Sequence, residues 1–317
     1  MKVSLVSTVL NEGGSVGDLI RAIESQTREP DEIVIVDGGS KDGTPQALAV
    51  WASRNPRVVV KSVPGANISA GRNAAIRAAA GPVIVVTDAG GTPEPGWLAA
   101  LAAPFEEEDV DVVMGFYRPD PRSAFERVFS CLNLPDPWEV DPARFMPSSR
   151  SVAFTKAAWE KAGGYPEWLD IGEDMLFNHR LVALGARRVF APGALVNWRL
   201  RPDLKSTFRQ YYRYARGDGK AGMYPKRHAL RFGTYTASAL LIRLGLRRRP
   251  ALLLLPAALT ARMMPAYRRA GRRLEPDELA VAVIALPALE TFIDTAKMAG
   301  YLAGATHRLK AAGRPKD

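Results

Sequence analysis

Short apolar runs alternate with amphipathic segments along the first ~115 residues, a pattern that predicts strands followed by helices. Residues 3–9 (VSLVSTV), 32–37 (EIVIVD), 57–63 (RVVVKSV), 82–88 (PVIVVTD) and 110–116 (VDVVMGF) read as strands. Four or five apolar residues in succession fit strands buried on both faces of a parallel sheet. Helices are predicted over 15–26 and 68–80, and Thr44 suits a helix N-cap between the second and third strands. Such alternation predicts an α/β fold, Rossmann-like, with a mostly parallel sheet flanked by helices.

Beyond this region the pattern changes. Residues 118–150 are rich in Pro, Asp and Arg and read as loops and short helices. A strand and helix follow, ending at Gly163 and Gly164, then a helix over 174–184 and a strand over 188–198. A helix dense in aromatic and basic residues covers 204–217, and three long helical segments fall at 229–247, 250–270 and 276–310. The domain reading is 1–227 for a catalytic part, with halves of about 1–117 and 118–227, and 228–317 for a C-terminal apolar, basic helical region.

Charge sharpens that division. The chain carries +10 overall, yet residues 228–317 hold 15 Lys and Arg against 6 Asp and Glu, which is nearly all of the excess. The last segment is long enough to cross a bilayer, but Glu290, Asp294 and Lys297 fall on one helical face. Charge at the bilayer centre is costly. Helices lying shallowly in the interface, with Arg243, Arg247, Arg248, Arg249, Arg268, Arg269, Arg272 and Arg273 near headgroups, fit better than spanning. Packing as soluble helices on the catalytic part is the alternative. The single cysteine, Cys131, excludes an intrachain disulfide and reads as a buried apolar residue in a reducing compartment. The N-terminal apolar run is too short for a signal peptide and reads as a core strand. The cytoplasmic face of a membrane is the expected location. Basic charge mixed with apolar runs argues against nucleic acid as a partner. Neither G-x-G-x-x-G nor G-x-x-x-x-G-K-[ST] occurs, which lowers dinucleotide and P-loop readings.

Acids stand where strands run out: Asp37, Asp88 and the pair Glu173 and Asp174. In an open α/β sheet, ligands bind beyond the carboxyl ends of the strands. Asp37 could bind a ligand there or cap its own Gly-Gly-Ser turn. Arg72, near a helix start, could meet a diphosphate or be a surface charge. Asn73 is a weaker candidate beside it. His179 and His228 lack metal-ligand spacing and read as structural.

The segments STVLNEGGSVGDLIRAIESQT, IVDGGSKDGT, SAGRNAAIRAAAG, the Asp88 turn and GEDMLFNHRL resemble, in this order, family 2 glycosyltransferases of GT-A fold over roughly residues 2–217. The tail is similar to bacterial, membrane-associated members that act on lipid-linked glycans. The resemblance implies inverting transfer of a sugar from a UDP- or GDP-linked donor to a hydroxyl, in cell-envelope or exopolysaccharide synthesis. It implies that Thr8, Leu10, Asn11 and Glu12 edge the nucleotide pocket and that Asp37 accepts from the base. It implies that Asp88 binds ribose and a divalent cation, Mg²⁺ or Mn²⁺, and that Asp174 is the general base with Glu173 beside it. Asp88-Ala89-Gly90 lacks the second acid of the family's D-x-D turn, and Asn197 stands near the place of a metal-binding His. Gln210 and Arg213 match the spacing of a Q-x-x-R-W element, with Tyr214 in the Trp position; these and Arg216 could meet acceptor or phosphate, or form an amphipathic interface helix. Arg199 and Arg201 are further phosphate candidates. A nucleotidyltransferase and a catalytically silent nucleotide-binding membrane scaffold are the rival readings.

Overall fold

The computed structural model describes residues 1–107, 109–245 and 254–312. Two compact units emerge: Met1–Asp120 with Asp136–Arg199, and Pro121–Pro135 with Leu200–Asp317. The shift in charge along the chain falls at residue 228, inside the second unit.

The first unit is built on eight strands: β1 (Val3–Val9), β2 (Glu32–Asp37), β3 (Val58–Ser62), β4 (Val83–Val86), β5 (Gly91–Pro93), β6 (Val112–Pro119), β7 (Val152–Thr155) and β8 (Arg188–Trp198). Their order in the sheet is β3-β2-β1-β4-β7-β6-β8-β5. β3, β2, β1 and β4 run parallel, as does β8 along β6. β7 is antiparallel to both β4 and β6, and β5 is antiparallel to β8. The sheet is therefore mixed, an α/β core with its parallel half at the N-terminal end. Three-residue β5 has no apolar run of its own and exists because Gly91–Pro93 lies along the end of β8.

Strand side chains alternate between the two faces, and both faces are apolar. Leu5, Ile33, Ile35, Val83 and Val85 pack into one core, and Val6, Val34, Val36, Ile84 and Val86 into the other. α1 (Val16–Glu24), α2 (Thr44–Arg54), α4 (Trp97–Ala102) and α5 (Pro104–Glu107) accompany the first face; α3 (Ile68–Ala78), α7 (Lys156–Lys161) and α8 (Glu173–Ala183) accompany the second. In α1, Val16, Leu19 and Ile23 are buried at helical spacing, each contributing about 1.5–3 kcal/mol. Trp97 is wholly buried, and its indole N–H donates to Ser151 Oγ at 2.8 Å, so its one polar atom is satisfied.

The second unit gathers α6 (Ala124–Asn133), α9 (Leu204–Ala221), α10 (Pro225–Gly245), α11 (Leu254–Arg273) and α12 (Pro276–Ala312). The loops and short helices expected over 118–150 include α6, whose Val128 and Cys131 pack with Ala266, Ala270, Ala282 and Leu286. Cys131 is buried, as expected. Glycines let α12 lie against α9: a Cβ on Gly300 would sit 2.1 Å from Tyr212 O, and one on Gly304 2.1 Å from Arg216 O. The expected helical residues 246, 247 and 250–253, with Arg247, Arg248 and Arg249, lie outside the described residues.

α12 is long and apolar enough to cross a bilayer by length and composition. Its Glu290, Asp294 and Lys297, however, are engaged within the unit. Asp294 is fully buried and accepts from Arg231 Nε at 2.7 Å, Arg262 Nη2 at 2.6 Å and the Tyr235 hydroxyl at 3.2 Å. Glu290 accepts from the same Arg262 at 2.6 Å. Lys297 stands 3.9 Å from Asp294 and over the ring of Tyr211. Elsewhere the helices leave Leu230, Leu240, Val281, Val283 and Ile284 exposed. His228 is structural: it is buried, 3.0 Å from Asp218, and stacked on Tyr301.

Candidate active site

The carboxyl ends of β1, β2 and β4 lie side by side, because β1 pairs with both neighbours. Asp37 closes β2 opposite Val9, and Asp88 follows β4 at nearly the same height. Two strand spacings, about 10 Å, separate β2 from β4.

On the β2 side, two loops are tied together. Ser40 donates both its N–H (3.0 Å) and its hydroxyl (2.6 Å) to Asp37 Oδ1, so Asp37 does cap its turn. Asn11 has a positive φ of 56°, uncommon for a residue with a side chain. Its conformation is held from both ends: its N–H donates to Ser40 Oγ at 2.8 Å, and its Oδ1 accepts from Lys41 N at 2.9 Å. Glu12 N–H donates to Thr44 Oγ1 at 2.8 Å. Thr8 Oγ1 donates to Val36 O, and Leu10 is half exposed at the edge. Thr8, Leu10, Asn11, Glu12 and Asp37 thus form one rim with a buried carboxylate at its base.

On the β4 side stands a denser cluster. Arg72 is buried on α3, not a surface charge: Nη2 donates to Asp88 Oδ1 at 2.6 Å and Nη1 to Glu173 Oε1 at 2.6 Å. Its guanidinium lies 5.3 Å from the ring centroid of Tyr165. Glu173 is the first residue of α8; Gly172, with φ 79°, occupies the N-cap, so Asp174 sits within the first turn and not at the cap. Asp174 Oδ1 accepts from Met175 N at 2.8 Å and Oδ2 from Ser149 N at 3.4 Å. Ser149 Oγ and the Tyr165 hydroxyl are 2.9 Å apart. Arg150 lies 4.2 Å over the Trp198 ring, and its carbonyl accepts from Thr87 Oγ1 at 3.0 Å.

The electrostatics follow from this crowding. Burial pushes the Asp88 carboxyl up, but Arg72 and Arg150 outweigh it and hold the group below the ordinary carboxylate range. Glu173 moves the other way: burial, then the neighbouring Asp174 charge, raise it despite Arg72. One carboxyl is thus kept ionised while its neighbour is pushed toward the neutral form. Burial also pushes the Tyr165 phenol up, which keeps it a neutral donor and acceptor.

Asn73, next to Arg72, fastens α3 to the loop after α7. Its Oδ1 accepts from Tyr165 N and Trp159 Nε1, while its Nδ2 donates to Tyr165 O and Glu167 Oε1. It borders a cavity of about 510 Å³, also lined by Arg77, Trp168 and Arg180. Asn197 is committed elsewhere: its Oδ1 accepts from Arg118 Nε at 2.8 Å, and Glu94 is 3.4 Å away. Gln210, Arg213 and Arg216 all lie on α9 in the second unit; Gln210 is buried and donates to the Tyr214 hydroxyl at 2.8 Å, whereas Arg213 is exposed. Sequence reasoning missed Ser149 and Arg150, which come from a segment without periodicity, Tyr165, just beyond an expected helix, and Trp198, the last residue of an expected strand. Arg150, a basic residue two positions before β7, was the one available signal.

Among the described residues, no three His, Cys, Asp or Glu side chains come together as a metal-holding group. Asp88 gives one carboxylate oxygen to Arg72 and keeps the other, and Glu173 is turned to Arg72. A divalent ion fits here only as one held by Asp88 together with oxygens supplied by a ligand, a mode open to Mg²⁺ and similar hard cations.

Residues 4–140 match the model of glycosyl transferase family 2, and residues 83–292, more than half the chain, that of glycosyl transferase family group 2. The glycosyltransferase AglE of Haloferax volcanii is 26% identical over 223 residues, covering 65% of this chain and 71% of that protein. The O-antigen chain rhamnosyltransferase RfbN of Salmonella typhimurium is 22% identical over 226 residues, covering 67% and 71%. Among solved structures, the mannosyltransferase PcManGT from Pyrobaculum calidifontis, in complex with GDP-Man and Mn²⁺, superposes with a TM-score of 0.56 at 22% identity, covering 97% of this chain and 87% of that one. S. aureus TarS 1–349 does so with a TM-score of 0.52 at 17% identity, covering 100% and 93%. These structures share the fold described above, which is of GT-A type. The chain belongs to the family 2 glycosyltransferases.

Proposed function

We propose that this protein transfers a sugar from a nucleotide-sugar donor, UDP- or GDP-linked, to a hydroxyl acceptor with inversion, as a hexosyltransferase. The observation that carries this reading is the buried cluster in which Asp88, at a strand end, and Glu173, beside Asp174, share one arginine. The nucleotide base sits at the Asp37 rim, edged by Thr8, Leu10, Asn11 and Glu12, and the diphosphate lies toward Asp88. Asp174 Oδ2, held by a single long contact to Ser149 N, accepts the proton of the acceptor hydroxyl as that oxygen attacks the anomeric carbon. The bond to the diphosphate breaks on the opposite face, so one displacement inverts the centre. Glu173, pushed toward its neutral form, positions the acceptor. A divalent cation bound through Asp88 and the diphosphate would supply charge neutralisation on the leaving group. The complexes of PcManGT with GDP-Man and Mn²⁺ and of TarS with UDP are in keeping with such a donor.

The acceptor in this reading is a lipid-linked glycan, in keeping with the O-antigen chain relative. Residues 1–227 carry catalysis, with the acceptor half at about 118–227, and Gln210, Arg213 and Arg216 meet acceptor or phosphate. Residues 228–317 rest on the cytoplasmic face of the membrane. Exposed Leu230, Leu240, Val281, Val283 and Ile284 support a shallow, interfacial seat, and the internally paired Glu290, Asp294 and Lys297 argue against spanning. The direct test is hydrolysis of a panel of UDP- and GDP-sugars by the purified protein with Mn²⁺, Mg²⁺ or EDTA. Slow release of one nucleoside diphosphate is expected, lost in EDTA. Nucleotide binding without any release would instead point to a silent scaffold.

A further inference from the structure

Arg72 joins two segments that lie far apart in sequence. Its two terminal nitrogens go to different carboxylates, each at 2.6 Å: one on Asp88, 16 residues away, the other on Glu173, 101 residues away. The residue is about 1% exposed, and its Nε is buried without a hydrogen-bond partner. A second path runs from the guanidinium over Tyr165, whose hydroxyl meets Ser149 Oγ, to Ser149 N–H and Asp174 Oδ2.

A buried ion network is a poor way to gain stability, since apolar side chains of similar volume serve as well or better. An unpartnered Nε adds to the cost. What only arginine supplies is a rigid planar fork whose donors stand at a fixed separation. Here that fork sets the distance between the carboxylate on the donor side and the pair on the acceptor side. Reacting groups must be held near their attack geometry, and a misplacement of about 1 Å can cost on the order of 100-fold in rate.

Resting on the sugar-transfer reading above, we propose that Arg72 is a positioning residue that sets the Asp88 carboxylate against the Glu173 and Asp174 pair, and so couples the donor site to the base. Charge and span are separable. Lysine keeps the charge but lacks the fork; glutamine lacks the charge as well.

The experiment compares Arg72→Lys and Arg72→Gln with wild type, using GDP-mannose and UDP-glucose as donor probes, and reads kcat, KM, the pH profile and thermal melting. Arg72→Gln is expected to lower kcat about 100-fold with a much smaller change in donor KM. Loss of the cation raises the neighbouring carboxyls, so the acid limb of the rate profile moves to higher pH. Arg72→Lys is expected to return the acid limb to its wild-type position while kcat stays at least about tenfold down. Should Arg72→Gln fail to fold, Glu173→Gln, which keeps the guanidinium but loosens one arm, is expected to lower kcat with KM nearly unchanged. Wild-type kcat in Arg72→Lys would overturn the proposal, as would variants that lose melting temperature alone with an unmoved acid limb. A wild-type enzyme that releases no nucleoside diphosphate from either donor or from the wider panel overturns the transfer reading itself.

Discussion

Gly71 lies directly against Thr8: a Cβ built on the glycine would stand 2.1 Å from Thr8 Oγ1 and 3.0 Å from its Cβ. This contact brings α3 onto β1 and places the next residue, Arg72, beside Asp88. Gly71→Ala is therefore expected to push the helix outward and destabilise the protein by about 1–3 kcal/mol, the range for overpacking a filled core. Scanning calorimetry should show a melting temperature several degrees lower, and donor hydrolysis should fall with it. Thr8→Ala in the same chain should recover part of the loss, because it removes the nearer atom.

Asp174 is only half buried and holds its helix end through one short contact to Met175 N, so its removal spares the fold. Asp174→Asn is expected to lower turnover by about 10²–10⁴-fold, the usual worth of a general base. Nucleoside diphosphate affinity, measured by titration calorimetry, should remain near wild type. A parallel loss of affinity would instead place Asp174 at the donor.

Lys297 is held at a pKa of about 8 by burial, against which Glu290 and Asp294 pull upward. In the unfolded chain its value is about 10.4. Between those two pH values the unfolded state binds more protons, so this lysine makes stability rise from pH ~8 to ~10.5 and carries its full penalty below pH 8. Lys297→Met is expected to stabilise the protein by up to about 3 kcal/mol at pH 7, and the two urea midpoints should converge near pH 10.5.

Leu240 is 60% and Ile284 78% exposed, so neither contributes much to packing. Each apolar side chain seated in lipid is worth about 1.5–3 kcal/mol. The double variant Leu240→Glu, Ile284→Glu should melt like wild type yet float with phosphatidylglycerol-containing vesicles at least about tenfold less well. Unchanged flotation would remove these helices from the membrane seat.

The parallel strands, the Thr8–Glu12 and Asp37 loops and Asp88 were legible in the chain because each depends on local pattern: an apolar run, then a turn residue at its carboxyl end. The C-terminal helices were legible for the same reason, through length and apolar content. Pairings between distant segments were not. Glu173 and Asp174 follow no strand, contrary to the expectation; they open α8 behind Gly172, and packing carries that helix end to Arg72. β5 has no strand signal and exists only beside β8; α6 joins α11 and α12 because its Val128 and Cys131 find a face there.

Arg72 shows most plainly where local reading stops. From the chain it is a polar residue on a short helix of small side chains, open equally to solvent or to a diphosphate. Tertiary structure buries it against Asp88 and Glu173, where its charge offsets the repulsion and the lost hydration of the two carboxyl groups. The same holds for Asp294, which from the chain looks like a charge on an apolar helix and in the fold is fully buried between Arg231 and Arg262. Periodicity reports which face of an element avoids water, because that preference belongs to each residue alone. Which charges meet inside depends on the packing of segments far apart in the chain, and only the folded structure decides it.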